Sequence, residues 1–325
     1  MRHGKHVRYW VSRKRIGELV ESDIPLLVRR GIAGAKMSKK ILWFLPASFL
    51  IGTVLVYPAL RTFVLSFFRM DLVTSFHAEF AGIDNFVRLA LDSRFRSTLW
   101  MTILFTTATV SIEFAAGLIL ALSVDKWVRG RTAVRTILLI PWTLPTAVIA
   151  VLWGWIFNDQ YGILNNLITR AGILQSPIAW LADARAAFWA LVIADVWKTT
   201  PFVFVILLAG LQAIPGELYE ALEIDGGGAW SKFRLITWPF LTRFIFVALI
   251  FRVIQAFSVF DLVYVLTGGG PGGTTETLSV YAYQTMMRYL DFSYGAALAT
   301  ANVIVLAVVA LVLYWLLVRT HEELV

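Results

Sequence analysis

Six stretches of this chain, at about 41–67, 98–124, 135–157, 187–209, 244–266 and 296–318, stay apolar for the thickness of a bilayer. A helix needs roughly 20 residues to cross a hydrocarbon core of about 30 Å, and each stretch has that length. With 58% aliphatic and aromatic residues and only 15% charged over 325 positions, the composition lies outside the range of soluble domains. The runs lack the in–out alternation of barrel strands, and a backbone in lipid must satisfy its own N–H and C=O groups. The sequence therefore predicts an all-α integral membrane protein of six transmembrane helices.

Lys and Arg outside the spans set the orientation. Segment 1–40 carries eleven, 125–135 carries four (Lys126, Arg129, Arg131, Arg135) and 210–243 carries three. The opposite loops, 68–97, 158–186 and 267–295, carry seven in much greater length. Basic residues stay inside, so both termini are expected in the cytoplasm, as in a bacterial inner membrane. The net charge of +8 equals the eleven basic less three acidic residues of 1–40. That segment suits a membrane surface, and no nucleic-acid partner is expected. Its basic region is too long for a cleaved signal and no small-residue site closes the next run, so span one is expected to act as an uncleaved anchor.

Motifs for self-contained energy coupling fail. The spacing Gly268 to Gly273 is loosely that of a phosphate loop but lacks the following lysine, and it reads as a flexible glycine turn on the outer side. His3, His6, His77 and His321 have no carboxylate partners at ligand spacing, and with zero cysteines no thiolate or zinc-thiolate site exists. No catalytic residue, metal or resident cofactor is expected.

Between the fourth and fifth runs, 212–243 is polar yet helically patterned. Pro215 and Gly216 open it, and Glu217 and Glu220 fall in a first turn, where acids favour a helix N-terminus. Gly226, Gly227 and Gly228 break the pattern, and a second amphipathic piece runs from Ala229 to Trp238 before Pro239. Two short cytoplasmic helices joined at a glycine hinge are expected. Glu220, Ala221, Asp225, Gly226, Phe233, Ile236 and Pro239 reproduce the spacing of the EAA signature, E-A-A-x-x-D-G-A-x5-F-x-x-I-x-x-P. Leu222 and Gly227 stand where that signature has alanine. The chain thus resembles permease subunits of binding-protein-dependent ABC importers. Pro141, Pro145, Trp153 through Phe157, Gly162 and Asn165 resemble the third span of maltose-type sugar permeases. Leu266, Thr267, Gly268 to Pro271, Thr275 and Thr277 resemble the outer turn of the larger permease of that system. The resemblance covers 41–325 and implies a permease domain there, with 1–40 outside it.

Two polar helix faces supply a candidate solute site. Asp195, Lys198, Thr199 and Phe202 are spaced i, i+3, i+4, i+7, as are Arg252, Gln255, Ala256 and Val259, so each set shares one face. At 1.5 Å per residue both faces start roughly 12 Å inside their spans. Charges at that depth cost about 2.5–3.5 kcal/mol each and usually face protein or water, which leaves open a shared cavity, an Asp195–Lys198 pair, or Arg252 as interhelical glue. Glu113 and Arg61 read as packing or snorkelling groups. The resemblance implies that both faces contact the sugar, with Lys198 and Arg252 replacing uncharged residues.

The resemblance further implies a second homologous permease, two ATP-binding subunits that hold ATP and magnesium, and an external solute-binding protein. Glu220, Ala221, Asp225, Gly226, Gly227, Phe233 and Pro239 would couple this chain to the ATPase. The competing expectation is a self-sufficient transporter using Asp195 as its proton site; no internal repeat supports it.

Overall fold

A computed structural model describes residues 37–70, 77–125, 131–173 and 176–322. The basic segment 1–40 lies outside these residues except for its last four. The described residues fall into two units, 37–59 in the first and those from 60 onward in the second. In the first, α1 (Met37–Ile51) runs through a π turn at Gly52–Val56 into α2 (Tyr57–Leu65). Ala59, in α2, ends that unit.

The second unit adds a small non-helical feature to the expected all-α class. Strand β1 (Phe68–Arg69) pairs antiparallel with β2 (Glu79–Phe80), Phe68 opposite Phe80 and Arg69 opposite Glu79. Helix α3 (Asp84–Leu91) then leads to α4 (Ser93–Asp125), α5 (Arg131–Thr143), α6 (Thr146–Ile156), α7 (Ile163–Arg170) and α8 (Ala184–Gln212). After these come α9 (Gly216–Ile224), α10 (Ala229–Lys232), a π turn at Phe233–Thr237, α11 (Trp238–Phe257), α12 (Asp261–Leu266), α13 (Leu278–Met287) and α14 (Phe292–Glu322).

Among the described residues five helices are long and apolar enough to cross a membrane: Trp43–Leu65, Ser93–Asp125, Ala184–Gln212, Ala229–Phe257 and Phe292–Leu316. A bent pair makes a sixth candidate. The run expected as one span at 135–157 is two helices, α5 and α6, meeting at 94°. Pro145 has no amide hydrogen and crowds its predecessor out of the helical region, and it is itself extended at ψ 137°. The run expected at 244–266 is shifted. Its helix begins earlier, at Ala229, and stops at Phe257, before α12. Ser258, Val259 and Phe260 are weak helix formers, and the Val259 carbonyl accepts a bond from Thr277 Oγ1 at 3.2 Å.

Helix α8 is the centre of the bundle, with 61% of its apolar window buried against 33% for α4. Helix α4 lies along it and α11 packs against both. Two apolar clusters fill this interface: Met101, Phe105, Leu191 and Val192 join Leu262 and Leu266 at one end. Ala121, Val124, Val203, Phe204 and Leu207 join Ile236 and Leu241 at the other. Helices α4 and α8 approach closely at Gly117, where a Cβ would fall 2.9 Å from Val203 Cγ1 and 3.2 Å from the Phe204 nitrogen. Small residues let membrane helices pack at such range. Gly117→Ala is expected to cost about 1–3 kcal/mol, as overpacking does, seen as a lower thermal midpoint in detergent. Adding Val203→Ala, which removes the nearest atom, should recover part of the loss. An unchanged midpoint for the single variant would contradict this packing.

Candidate functional site

Between the two apolar clusters the bundle is charged. Glu113 of α4 is fully buried, and Arg252 of α11 and Asp195 of α8 are 2% and 6% exposed. Arg252 grips Glu113 with a two-pronged fork, Nε to Oε2 at 2.6 Å and Nη2 to Oε1 at 2.8 Å. Its Nη2 also donates to Asp195 Oδ2 at 3.1 Å, and Nη1 donates to Gln255 Oε1 at 3.0 Å. The Thr199 hydroxyl lies 2.5 Å from Glu113 Oε1 and 2.6 Å from the Asp195 carbonyl, sharing one proton between two acceptors. Lys198 is half-buried on the same helical face as Asp195 and Thr199. Together Glu113, Asp195, Arg252 and Lys198 sum to zero charge.

The polar faces of α8 and α11 thus meet, through a residue on a third helix. Glu113, expected as a packing group, is Arg252's bidentate partner. Asp195 pairs with Arg252, and among the described residues no ion pair or hydrogen bond joins it to Lys198. Phe202 is half-buried, 5.9 Å from Trp142 and 6.3 Å from Phe251 between ring centroids. Gln255 is exposed, Ala256 is buried with Val110 and Val253, and Val259 packs on the cluster around Leu262. Arg252's contacts go to protein, leaving Gln255 and Lys198 as the accessible polar groups of the two faces. Among the described residues no three His, Asp or Glu side chains gather to hold a metal ion.

The 212–243 segment is a hairpin of a different form from that expected. Helix α9 ends with Gly226 at φ 81° and a bond from the Gly227 amide to the Leu222 carbonyl at 2.8 Å. The two departures from the EAA pattern touch: a Cβ on Gly227 would sit 2.5 Å from Leu222 Cγ. The second piece is not a separate helix, because α10 continues through the π turn into α11. Pro239 falls in the first turn of α11, and the wider turn before it carries the bond from Trp238 N–H to the Phe233 carbonyl. Tyr219 Oη lies 2.9 Å from Thr237 Oγ1, and Lys232 Nζ lies 2.6 Å from Glu223 Oε1, pinning α9 to this continuous helix. Phe233 is half-buried beside Trp230 and Trp238, and Ile236 is buried in the bundle. Glu220, Ala221 and Asp225 are exposed, as are Ile224 at 87% and Trp230 at 70%.

At the other end of the bundle is a network not foreseen from sequence. Asp92 Oδ2 accepts from Tyr281 Oη at 2.6 Å and Tyr294 Oη at 2.5 Å, and Arg94 forks onto Glu276 at 2.8 and 2.9 Å. Burial pushes the Asp92 carboxyl up, but the tyrosine hydroxyls and the Arg94 and Phe95 amides outweigh it and hold it below its ordinary value. Burial and the bond to Asp92 push Tyr281 up to about 12. The glycine-rich turn expected to be flexible is pinned here. Thr275 and Thr277 are fully buried, and Thr275 Oγ1 donates to the Gly270 carbonyl at 2.6 Å.

These features define a helical protein with several helices long and apolar enough to cross a membrane, a charged core and an exposed hairpin. Residues 113–321 match the family of binding-protein-dependent transport system inner membrane components. The chain is 38% identical over 282 residues to the sulfoquinovosyl glycerol transport system permease protein SmoG of Agrobacterium fabrum, covering 87% of this chain and 91% of that one. It is 41% identical over 258 residues to the trehalose/maltose transport system permease protein MalF of Thermococcus litoralis, covering 79% and 86%. A crystal structure of a bacterial ABC transporter that imports the acidic polysaccharide alginate contains a chain of the same fold, with a TM-score of 0.72 at 22% identity over 94% and 99% of the two chains. The chain belongs to the family of inner membrane components of binding-protein-dependent transport systems. That membership favours an ABC importer subunit over a self-sufficient proton-coupled transporter.

Two predictions follow from the charged groups. Removing one partner of a buried pair costs about 3–5 kcal/mol, whereas apolar replacement of the whole set is often neutral. Arg252→Met should sharply reduce folded yield in detergent, and combining it with Glu113→Met and Asp195→Val should restore most of it; full yield from Arg252→Met alone would refute the network's structural role. Asp92 titrates lower folded than unfolded, so its contribution is complete above about pH 4 and lost as pH falls through the depressed value. Tyr281 works in the opposite direction, with its contribution complete below about pH 10 and lost as pH rises beyond. Asp92→Asn should therefore lower the thermal midpoint equally at about pH 6 and pH 8, with the gap closing below about pH 4. A gap confined to alkaline pH would count against this assignment.

Proposed function

We propose that this chain is one of two transmembrane subunits of a sugar importer driven by ATP hydrolysis in separate subunits. The observation that carries the reading is the hairpin. Its acids Glu220 and Asp225 are exposed beside Ile224 and Trp230, while Phe233 and Ile236 anchor the same motif in the bundle. Exposed apolar side chains close in sequence to exposed acids suit a partner protein's cleft. Family membership supports an ATPase as that partner, a second permease beside this chain and an external solute-binding protein. A crystal structure of the related fold contains a periplasmic protein bound to an alginate pentasaccharide.

In this reading six spans cross a cytoplasmic membrane, the bacterial inner membrane, with the bent pair α5–α6 as the third and both termini inside. ATP and magnesium are held by the ATPase subunits, and this chain holds no cofactor. Sugar is the expected solute because the relatives named above carry trehalose, maltose or a sulfoquinovosyl glycerol, and the trehalose permease SugA of Mycobacterium tuberculosis is 34% identical over 86% of this chain. The faces bearing Asp195, Lys198, Thr199 and Phe202, and Arg252, Gln255, Ala256 and Val259, form the solute path. Gln255 and Lys198 touch the solute, and Arg252, held by Glu113, fixes the Gln255 amide so that its NH2 faces outward as a donor.

The test is purification of the chain from its native membrane with whatever accompanies it. An ATPase should co-purify and be lost from the Glu220→Ala/Asp225→Ala variant, which should still insert and bind the second permease. Its solute uptake should fall by about tenfold or more, the scale of losing interface anchors of about 1–2 kcal/mol each. Undiminished uptake by that variant would remove the hairpin from the coupling path.

A further inference from the structure

Past the break that ends α11, three aromatic rings gather beyond the solute-facing positions named so far. Phe260 stacks on Tyr264 of α12, with centroids 5.2 Å apart and planes 15° from parallel. Tyr283 of α13 completes the group, 4.9 Å from Phe260 and 5.1 Å from Tyr264. Phe260 packs against the core cluster around Leu262 and Val263, whereas Tyr264 and Tyr283 stay 41% and 38% exposed. The support is stiff. Thr277 ties the start of α13 to the Val259 carbonyl, and the Thr267 and Thr275 hydroxyls meet at 2.8 Å.

A carboxylate flanks the rings: Asp261 follows Phe260 and is exposed. Lys198 sits on the most buried span and shares its face with Asp195 and Thr199. Phe260 packs against the apolar cluster that contains Leu191 and Ala194 of α8, the turn preceding Asp195 and Lys198, which sets the rings beside the polar face of the bundle. Rigid rings beside a carboxylate acceptor match a pyranose, whose C–H face is apolar and whose rim hydroxyls donate.

We propose that Phe260, Tyr264 and Tyr283, with Asp261, form an outer sugar-stacking site that holds one unit of an oligosaccharide whose other end reaches Lys198 and Gln255. This rests on the sugar-import reading. Tyr264 is nine residues beyond Gln255, on the far side of the break at Ser258–Phe260, so the two places take different units of one chain. The solute class is a di- or trisaccharide presenting an apolar ring face.

The test uses the complete importer, with its second permease, ATPase subunits and binding protein, in proteoliposomes supplied with radiolabelled trehalose, maltotriose or raffinose. Tyr264→Leu should lower the sugar moved per ATP hydrolysed by about tenfold, the scale of one lost aromatic contact. Tyr264→Phe keeps the ring and should remain within about twofold of the parent. Parental transport by Tyr264→Leu, or equal losses in both variants, overturns the site while leaving the sugar reading in place. Loss of the second permease from the Tyr264→Leu complex also overturns it, since the rings would then be a subunit contact. A parent importer that moves none of the three sugars overturns both readings together.

Discussion

The fork from Arg252 to Glu113 is the contact on which the interior of this bundle depends. It joins α4 to α11, and the third bond of the same guanidinium reaches Asp195 on α8. Apolar packing tolerates small slips along a helix axis because one methyl group substitutes for another. A bidentate fork in a low-dielectric interior does not, since a slip of one residue would strand charges that are costly to leave alone. Gly117, Val203 and Phe204 bring α4 and α8 close on one side of the network, and Phe105 and Leu191 seal it on the other. The apolar clusters supply affinity between helices, and the charges set their register.

The same geometry explains what could and could not be read in the residues. Asp195 and Arg252 stood out because each is a charged residue that opens an i, i+3, i+4, i+7 face about eight residues inside an apolar run, and in the fold the two are joined by a hydrogen bond. Glu113 did not stand out because its neighbours on α4 are ordinary lipid-compatible residues. Its role is tertiary, and the available signal was a charge balance across all spans rather than any local pattern. The limits of the helices show the same division. Pro145 is a local signal of a break, yet length and hydropathy outweighed it, and in the fold α6 turns off at 94° and packs beside α12. The stop at Phe257 depends on Thr277, distant in sequence, taking up the Val259 carbonyl. The glycine-rich turn seemed loose because glycine permits many conformations; in the fold its threonine hydroxyls select one.

The hairpin divides the EAA pattern by what each residue touches. Phe233, Ile236 and Pro239 belong to the helix that enters the bundle, whereas Glu220, Ala221 and Asp225 are exposed on the part that protrudes. Leu222 and Gly227, which depart from the pattern, are in contact, so the larger side chain at one position fills the space vacated at the other. A sequence comparison scores these as two mismatches, but physically they are one exchange of volume.

Continuity of α10 through α11 gives the hairpin a mechanical link to the core. Lys232 and Thr237 are tied to α9, and Arg252 lies on the same helix, fourteen residues beyond Trp238, roughly 21 Å at helical rise. A displacement of α9 is therefore delivered along one helix to the charged network instead of dissipating in a loop. Arg252 holds Glu113 by two bonds and Asp195 by one, and the Asp195 bond is the longest of the three at 3.1 Å. Movement of α11 against α8 works against the Asp195 bond directly, and against the fork as well, because Glu113 also accepts from Thr199 of α8. Gln255 is held by the remaining guanidinium nitrogen, so its amide is tied to the same network.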